Sequence, residues 1–103
     1  MKNQSMIRDQ AIAEIALSTE ALRARSVEAA YLFGSTARGE ARPDSDLDVF
    51  IDIAPDARFS LLDLAGLHRL LNESIGRKVD VTTRESLHPK LRGEIERGAV
   101  RVF

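Results

Sequence analysis

From Asp46 to Ile53 aliphatic residues recur at every second position. Leu47, Val49, Ile51 and Ile53 fall on one face, and Asp46, Asp48, Phe50 and Asp52 on the other. Period-two alternation predicts a strand with one face in the core. Lys78 to Thr83 alternates in the same way, with Val79 and Val81 opposite Lys78, Asp80 and Thr82. Ala29 to Phe33 is a short apolar run broken by Gly34 and reads as a buried strand. Ser5 to about Arg25 instead spaces Ile7, Ala11, Ile15 and Leu22 with helical period, which predicts one amphipathic helix. Ser35 to Ala41 is small and polar and predicts a short helical turn. Arg42-Pro43-Asp44-Ser45 is a turn, because proline fixes its own φ and restricts the residue before it. Ser60 with Asp63 has the form of a capping box that opens a helix running to Ile75, and Gly76 ends it. His88-Pro89 starts a last helix carrying Leu91 and Ile95 and closed by Gly98, and Val100 to Phe103 is a short terminal strand. The predicted order is α-β-α-β-α-β-α, an α/β (α+β) fold with a small mixed sheet flanked by helices.

Composition narrows this picture. The 103 residues are 44% hydrophobic and 30% charged, enough apolar material for one core, so residues 1–103 read as a single domain. The absence of cysteine excludes disulfides and thiolate metal sites and fits a cytoplasmic location. No stretch reads as a signal peptide or membrane span. A net charge of −1, with both signs spread along the chain, argues against nucleic acid as a direct stable ligand.

The chemistry concentrates between Tyr31 and Ile51. Asp46 and Asp48, two apart on a strand, point to the same side, so both carboxylates can reach one small volume. Asp80 lies on the polar face of the following strand and joins them if those strands pair. Two like charges about 4 Å apart cost roughly 4 kcal/mol at an effective dielectric of 20. Such a cluster therefore implies either a protonated acid or a divalent cation. Hard oxygen ligands without His or Cys favour Mg²⁺, with Mn²⁺ an acceptable substitute. Gly34 lets the chain turn tightly after its strand, and Ser35 opens a turn whose free N–H groups suit phosphate oxygens. Arg38, Gly39 and Arg42 belong to the same loop, and the two guanidinium groups are candidates for the outer phosphates. A phosphate seat beside carboxylate-held metal describes nucleotidyl transfer, with two ions sharing the charge.

Two commoner motifs fail. Gly34-x₄-Gly39 has the glycine spacing of a P-loop, but Glu40-Ala41 stands where Lys and Ser/Thr are required. Asp44-x-Asp46-x-Asp48 begins like an EF-hand loop, but Val49 and Pro55 occupy its sixth and twelfth positions.

Gly34-Ser35, ten further residues, then Asp46-x-Asp48 resembles the signature of the DNA-polymerase-β-like nucleotidyltransferase superfamily. The fuller string Gly-Ser-Thr-Ala-Arg-Gly-Glu-Ala-Arg-Pro-Asp-Ser-Asp-Leu-Asp-Val is similar to its minimal branch, the MNT proteins of HEPN/MNT toxin–antitoxin pairs. The resemblance extends through Gly76-Arg-Lys-Val-Asp-Val and the Leu91 to Gly98 segment. It implies that Gly34 and Ser35 bind triphosphate, that Asp46 and Asp48 hold metal, and that Asp80 is the third acid. Many minimal relatives carry arginine at the position of Thr36. The resemblance also implies ATP as substrate, AMP transfer to a tyrosine of a HEPN ribonuclease partner, and direct binding to that partner. Length agrees: larger relatives carry a further domain for the acceptor, so a separate polypeptide is expected to present it here.

Other readings stay open at this point. The chain could act as a binding module that occludes its partner, or transfer nucleotide to RNA or a small molecule, and a homo-oligomer is compatible with the sequence. Asp44 is read as a turn residue, Asp52 as a strand-end charge and His88 as a helix-start residue. His68 reads as a packing histidine in the stripe Leu61, Leu64, Leu71 and Ile75. Leu62 and Leu70 lie off that stripe as candidate partner contacts.

Overall fold

A computed structural model describes residues 2–42 and 45–103. Pro43 and Asp44, expected in a turn, lie outside the described residues. The elements run α1 (Lys2–Ala16), α2 (Thr19–Arg23), β1 (Val27–Phe33), α3 (Gly34–Ala37), β2 (Leu47–Ile53), α4 (Leu61–Ile75), β3 (Val79–Thr83), α5 (Arg92–Gly98) and β4 (Val100–Arg101). A 3₁₀ turn over Arg84–Ser86 precedes α5. The sheet has the order β3-β2-β1-β4. β1 is antiparallel to both β2 and β4, and β2 is parallel to β3, so the sheet is mixed, as the sequence predicts. Among the described residues, no helix is long and apolar enough to cross a membrane.

One face of the sheet makes the core. Val27, Ala30 and Leu32 of β1, Leu47, Val49 and Ile51 of β2, and Val79 and Val81 of β3 pack with Ala11 and Ile15 of α1, Leu22 of α2, and Leu67 and Leu71 of α4. Each fully buried aliphatic side chain contributes about 1.5–3 kcal/mol of transfer free energy, so this layer dominates stability.

α4 keeps its predicted ends. Ser60 and Asp63 form the reciprocal capping box, and Gly76 closes the helix with φ +74°, a left-handed conformation suited to glycine.

Three expectations need correction. The first helix is not continuous, because the chain breaks at Leu17-Ser18. There the Ser18 N–H bonds to the Ile15 carbonyl, and the Thr19 hydroxyl donates back to the Ala16 carbonyl at 2.6 Å. Local hydroxyl bonding competes with the helical ladder, and the adjacent Ser and Thr supply it. Leu61, assigned to the apolar stripe, is 84% exposed, and Leu67 takes the core position instead. Of the two off-stripe leucines, Leu62 is exposed and Leu70 packs partly against the core. Finally, Phe50 lies on the nominally polar face of β2 yet is buried. Its ring stacks on Tyr31 at 4.7 Å and tilts against Phe33 at 5.7 Å, so the second face carries its own small aromatic cluster.

His68 is the satisfied histidine expected of it, but its partner is a strand. β3 is an outer strand, and α4 side chains occupy its free backbone groups. His68 Nε2 lies 2.9 Å from the Val81 carbonyl oxygen, and Asn72 both accepts from the Val79 N–H and donates to the Val79 carbonyl. An unpaired strand edge is thereby closed.

Candidate active site

The register of β2 on β3 brings the acids together. Asp48 pairs directly with Asp80 across the parallel ladder, which puts the two carboxylates side by side on one face, with strands about 4.8 Å apart. Asp46 lies just before β2, and its carboxylate faces Lys78, with Nζ–Oδ2 at 3.6 Å. Both members of that ion pair are largely exposed, so it is weak. The electrostatics follow the geometry. Burial, then Asp80, then Asp46, raise the Asp48 carboxyl above its ordinary 3.8, while Arg38 pulls it down.

Gly34 sits against this pair. Its φ of +76° is left-handed, and a Cβ built on it would stand 2.6 Å from Asp48 Oδ2. Glycine is required here twice over, for the turn and for the close approach. It opens α3, whose N-cap residue Phe33 is extended and supplies no side-chain cap. The first-turn N–H groups of such a helix have no intrahelical acceptor, and Gly34, where the helix begins, lies against Asp48.

Ser35 is half-buried in this turn, and its backbone carbonyl holds the turn's end by accepting the Glu40 N–H at 2.9 Å. Thr36 is buried, and its hydroxyl has no hydrogen-bond partner. Gly39 closes the turn by donating to the Thr36 carbonyl.

Arg38 is exposed and paired with Glu40 at 2.5 Å, close enough to Asp48 to act on its titration. Arg42 is exposed, and its backbone N–H bonds Ser45 Oγ. Its side chain is not brought to the acids. The carbonyl of Ser45 accepts a hydrogen bond from Arg77, which ties the strand entering the site to the start of β3.

Among the described residues no three His, Cys, Asp or Glu side chains already surround one point. Asp48 and Asp80 are register partners, and Asp46 lies alongside with its carboxylate turned to Lys78. The donor set nonetheless fits a hard divalent cation. It offers oxygen ligands alone, a mutual repulsion that a cation would relieve, and a close approach of the Asp48 carboxylate to Gly34 that a Cβ would block. A groove of about 410 Å³ continues from there between Phe33, Gly34 and Arg38 on one side and Leu91, Glu94 and Ile95 on the other.

Sequence reading missed what holds the far wall of that groove. Asp52 is no simple strand-end charge: it takes Arg84 Nε and Nη2 at 2.8 and 2.9 Å. Arg84 also reaches Glu96 of α5 at 2.5 Å, and its guanidinium lies 4.9 Å from the ring centres of both Tyr31 and Phe50. These partners are 32 and 12 residues from Arg84, so no local pattern announces them. The Arg84 hydrogen bond, with Arg92 beside it, holds the Glu96 carboxyl below its ordinary 4.5.

Arg84→Met is expected to lower stability, because Asp52 then loses its guanidinium partner and Glu96 keeps only Arg92 at 3.6 Å. Thermal denaturation should show a lower midpoint. Glu96 titrates lower in the fold than unfolded, so its share is present above pH 4.5 and fades as pH falls further. An equal midpoint for variant and parent at pH 7 would refute the clamp.

Known proteins resemble this chain in sequence and fold. A family model described as a nucleotidyltransferase domain matches residues 15–102. A candidate protein adenylyltransferase of Methanocaldococcus jannaschii is 42% identical over 77 residues, 75% of this chain and 81% of that protein. The solved structure of a candidate minimal nucleotidyltransferase superposes with a TM-score of 0.68 at 33% identity, over 94% of this chain and 93% of the other. A toxin–antitoxin crystal structure with AMP-PNP shares the fold, with a TM-score of 0.70 at 20% identity over 87% of this chain and 72% of that one.

Proposed function

The chain belongs to the nucleotidyltransferase domain family, and on that premise we propose that it transfers AMP from Mg²⁺-bound ATP to a tyrosine of a HEPN-type toxin partner. The observation that carries the reading is the register pairing of Asp48 with Asp80 beside Gly34. It joins an acid pair suited to a cation with a backbone seat suited to phosphate.

In this reading Asp46, Asp48 and Asp80 hold Mg²⁺, which when bound offsets the triphosphate charge. Gly34 and Ser35 donate backbone N–H groups to phosphate oxygens, and Arg38 balances the charge on the departing pyrophosphate. Gly39 shapes that loop, and Arg42 reaches the phosphates only if its side chain swings inward. Asp80 accepts the proton of the acceptor hydroxyl as that oxygen bonds to the α-phosphorus. The bond from the α-phosphorus to the bridging oxygen then breaks, and pyrophosphate leaves. The adenylyltransferase name of the Methanocaldococcus relative supports a protein acceptor, and the toxin–antitoxin neighbour supports a toxin as that acceptor. The cysteine-free composition supports a cytoplasmic setting.

The test is incubation with ATP labelled on the α-phosphate, Mg²⁺ and the co-encoded partner. Label is expected on a tyrosine of the partner by mass spectrometry. The double variant Asp46→Ala/Asp48→Ala should bind the partner but leave it unlabelled and active. If the double variant neutralises the partner as well as the parent does, occlusion rather than catalysis is the function. Label on RNA or a small molecule alone would reassign the acceptor.

A further inference from the structure

The third acid sits on an outer strand, where only one neighbouring strand, β2, fixes the backbone. Its other side is held by two side chains of α4 that lie four residues apart and so share one helical face. Asn72 receives the Val79 N–H and gives a proton to the Val79 carbonyl, both at 3.1 Å. That is the exchange a paired strand residue would make. Its second amide proton goes to the His68 carbonyl at 2.6 Å, so the whole amide is committed. His68 Nε2 donates to the Val81 carbonyl at 2.9 Å in one tautomer and accepts the Val81 N–H at 3.3 Å in the other. Val79 and Val81 are the two neighbours of Asp80. The strand is thus gripped immediately before and immediately after the acid, while its own ladder position pairs with Asp48.

We propose that Asn72 and His68 are positioning residues for nucleotidyl transfer, an α4 clamp that holds β3 in register and so keeps the Asp80 carboxylate beside Asp48. The inference rests on the reading in the preceding subsection. Asn72 and His68 act on Asp80 only through the strand backbone. Closing an edge against other chains needs no such specificity, since a charge, a proline or a bulge does it. Here donor and acceptor groups flanking a single residue are answered by an amide and an imidazole. Val79 and Val81 are buried, so losing either side chain leaves their backbone groups short of partners and loosens the strand.

The full chain is tested as Asn72→Leu and His68→Leu, with His68→Gln as the conservative variant that keeps a donor and an acceptor. Three readouts are taken: amide exchange at Val79 and Val81, Mn²⁺ affinity from paramagnetic line broadening, and steady-state kinetics. In the leucine variants both amides should exchange faster and Mn²⁺ should bind about 10–100-fold more weakly, the usual range for lost outer-shell support. The kcat should fall in step, while KM for ATP at saturating metal stays within about two-fold, since the Gly34 seat is untouched. His68→Gln should stay near the parent in all three.

Faster exchange with unchanged Mn²⁺ affinity and kcat overturns the clamp, as does a glutamine variant that folds but performs no better than leucine. If a leucine variant fails to fold, Asn72→Asp keeps the acceptor, loses the donor to Val79, and bears the same comparison. A parent chain that binds Mn²⁺ but transfers nothing counts against the proposed function alone, and the clamp is then judged on Mn²⁺ affinity. A parent that binds no Mn²⁺ overturns both.

Discussion

Asp48→Asn is expected to stabilise the metal-free protein while reducing nucleotidyl transfer by at least about 10³-fold. The Asp48 carboxyl titrates above its ordinary 3.8 in the fold, chiefly through burial and then through Asp80 and Asp46. The folded state therefore holds this proton more tightly than the unfolded chain does. The group costs nothing well below pH 3.8, and its penalty grows as pH rises from there through the folded value. Asparagine has nearly the same shape and never ionises, so it removes the penalty.

A rise of roughly 2–5 °C in the thermal midpoint at pH 7, vanishing in acid, is the expected signature. Adding Mg²⁺ with a non-hydrolysable ATP analogue should invert the ranking, because only the parent gains the binding free energy of the metal complex. A variant that melts below the metal-free parent at pH 7 would mean that the carboxylates are not in conflict.

Gly34→Ala is expected to damage the site more than the fold. A left-handed backbone costs an alanine roughly 1–2 kcal/mol, which lowers the midpoint by about 4–10 °C. The added Cβ would also meet Asp48 Oδ2 at 2.6 Å. That atom is the far end of a side chain, so the collision is relieved by rotating the carboxylate away from Asp80. Transfer should fall by at least about 10²-fold.

Gly76→Ala separates the two effects. Its φ is +74°, and nothing lies within 4 Å of its Cβ position. It should show a similar loss of stability, with kcat kept within about three-fold of the parent. Equal loss of kcat in both variants would trace the Gly34 effect to backbone strain alone.

What the sequence revealed and what it concealed divide by the reach of the interaction. Capping at Ser60–Asp63 and the Gly76 stop depend on residues within a turn of each other, and period-two alternation marks β2 and β3 residue by residue. The glycine-serine pair and the two aspartates also lie within one short stretch, so the site's outline could be read directly. The pairing of Asp48 with Asp80 could only be stated as conditional, because register is a property of two strands and not of either alone.

Asp52 looked like a solvated charge for the same reason: its partner Arg84 arrives from 32 residues away. Phe50 was assigned to the wet face because alternation describes one sheet face and says nothing about Arg84 and Tyr31 covering the other. Asn72 was invisible as a strand partner, since a side-chain amide that imitates backbone leaves no periodic trace. The break at Leu17-Ser18 did have a signal, the Ser-Thr pair, which the apolar spacing outweighed.

The attachment of β4 gives the molecule a graded resistance to opening. Two register pairs, Tyr31 with Arg101 and Leu32 with Val100, join it to β1, supplemented by bonds between Ala30 and the last two residues. The β1–β2 ladder, by contrast, spans six pairs. Short, peripheral hydrogen-bonded units are the first to come undone in native-state fluctuations. α5 runs into β4 through Ala99 alone, so opening at β4 reaches the Leu91–Ile95 side of the groove before it reaches the Asp48–Asp80 pair, with the Arg84–Glu96 contact still holding α5 to the sheet.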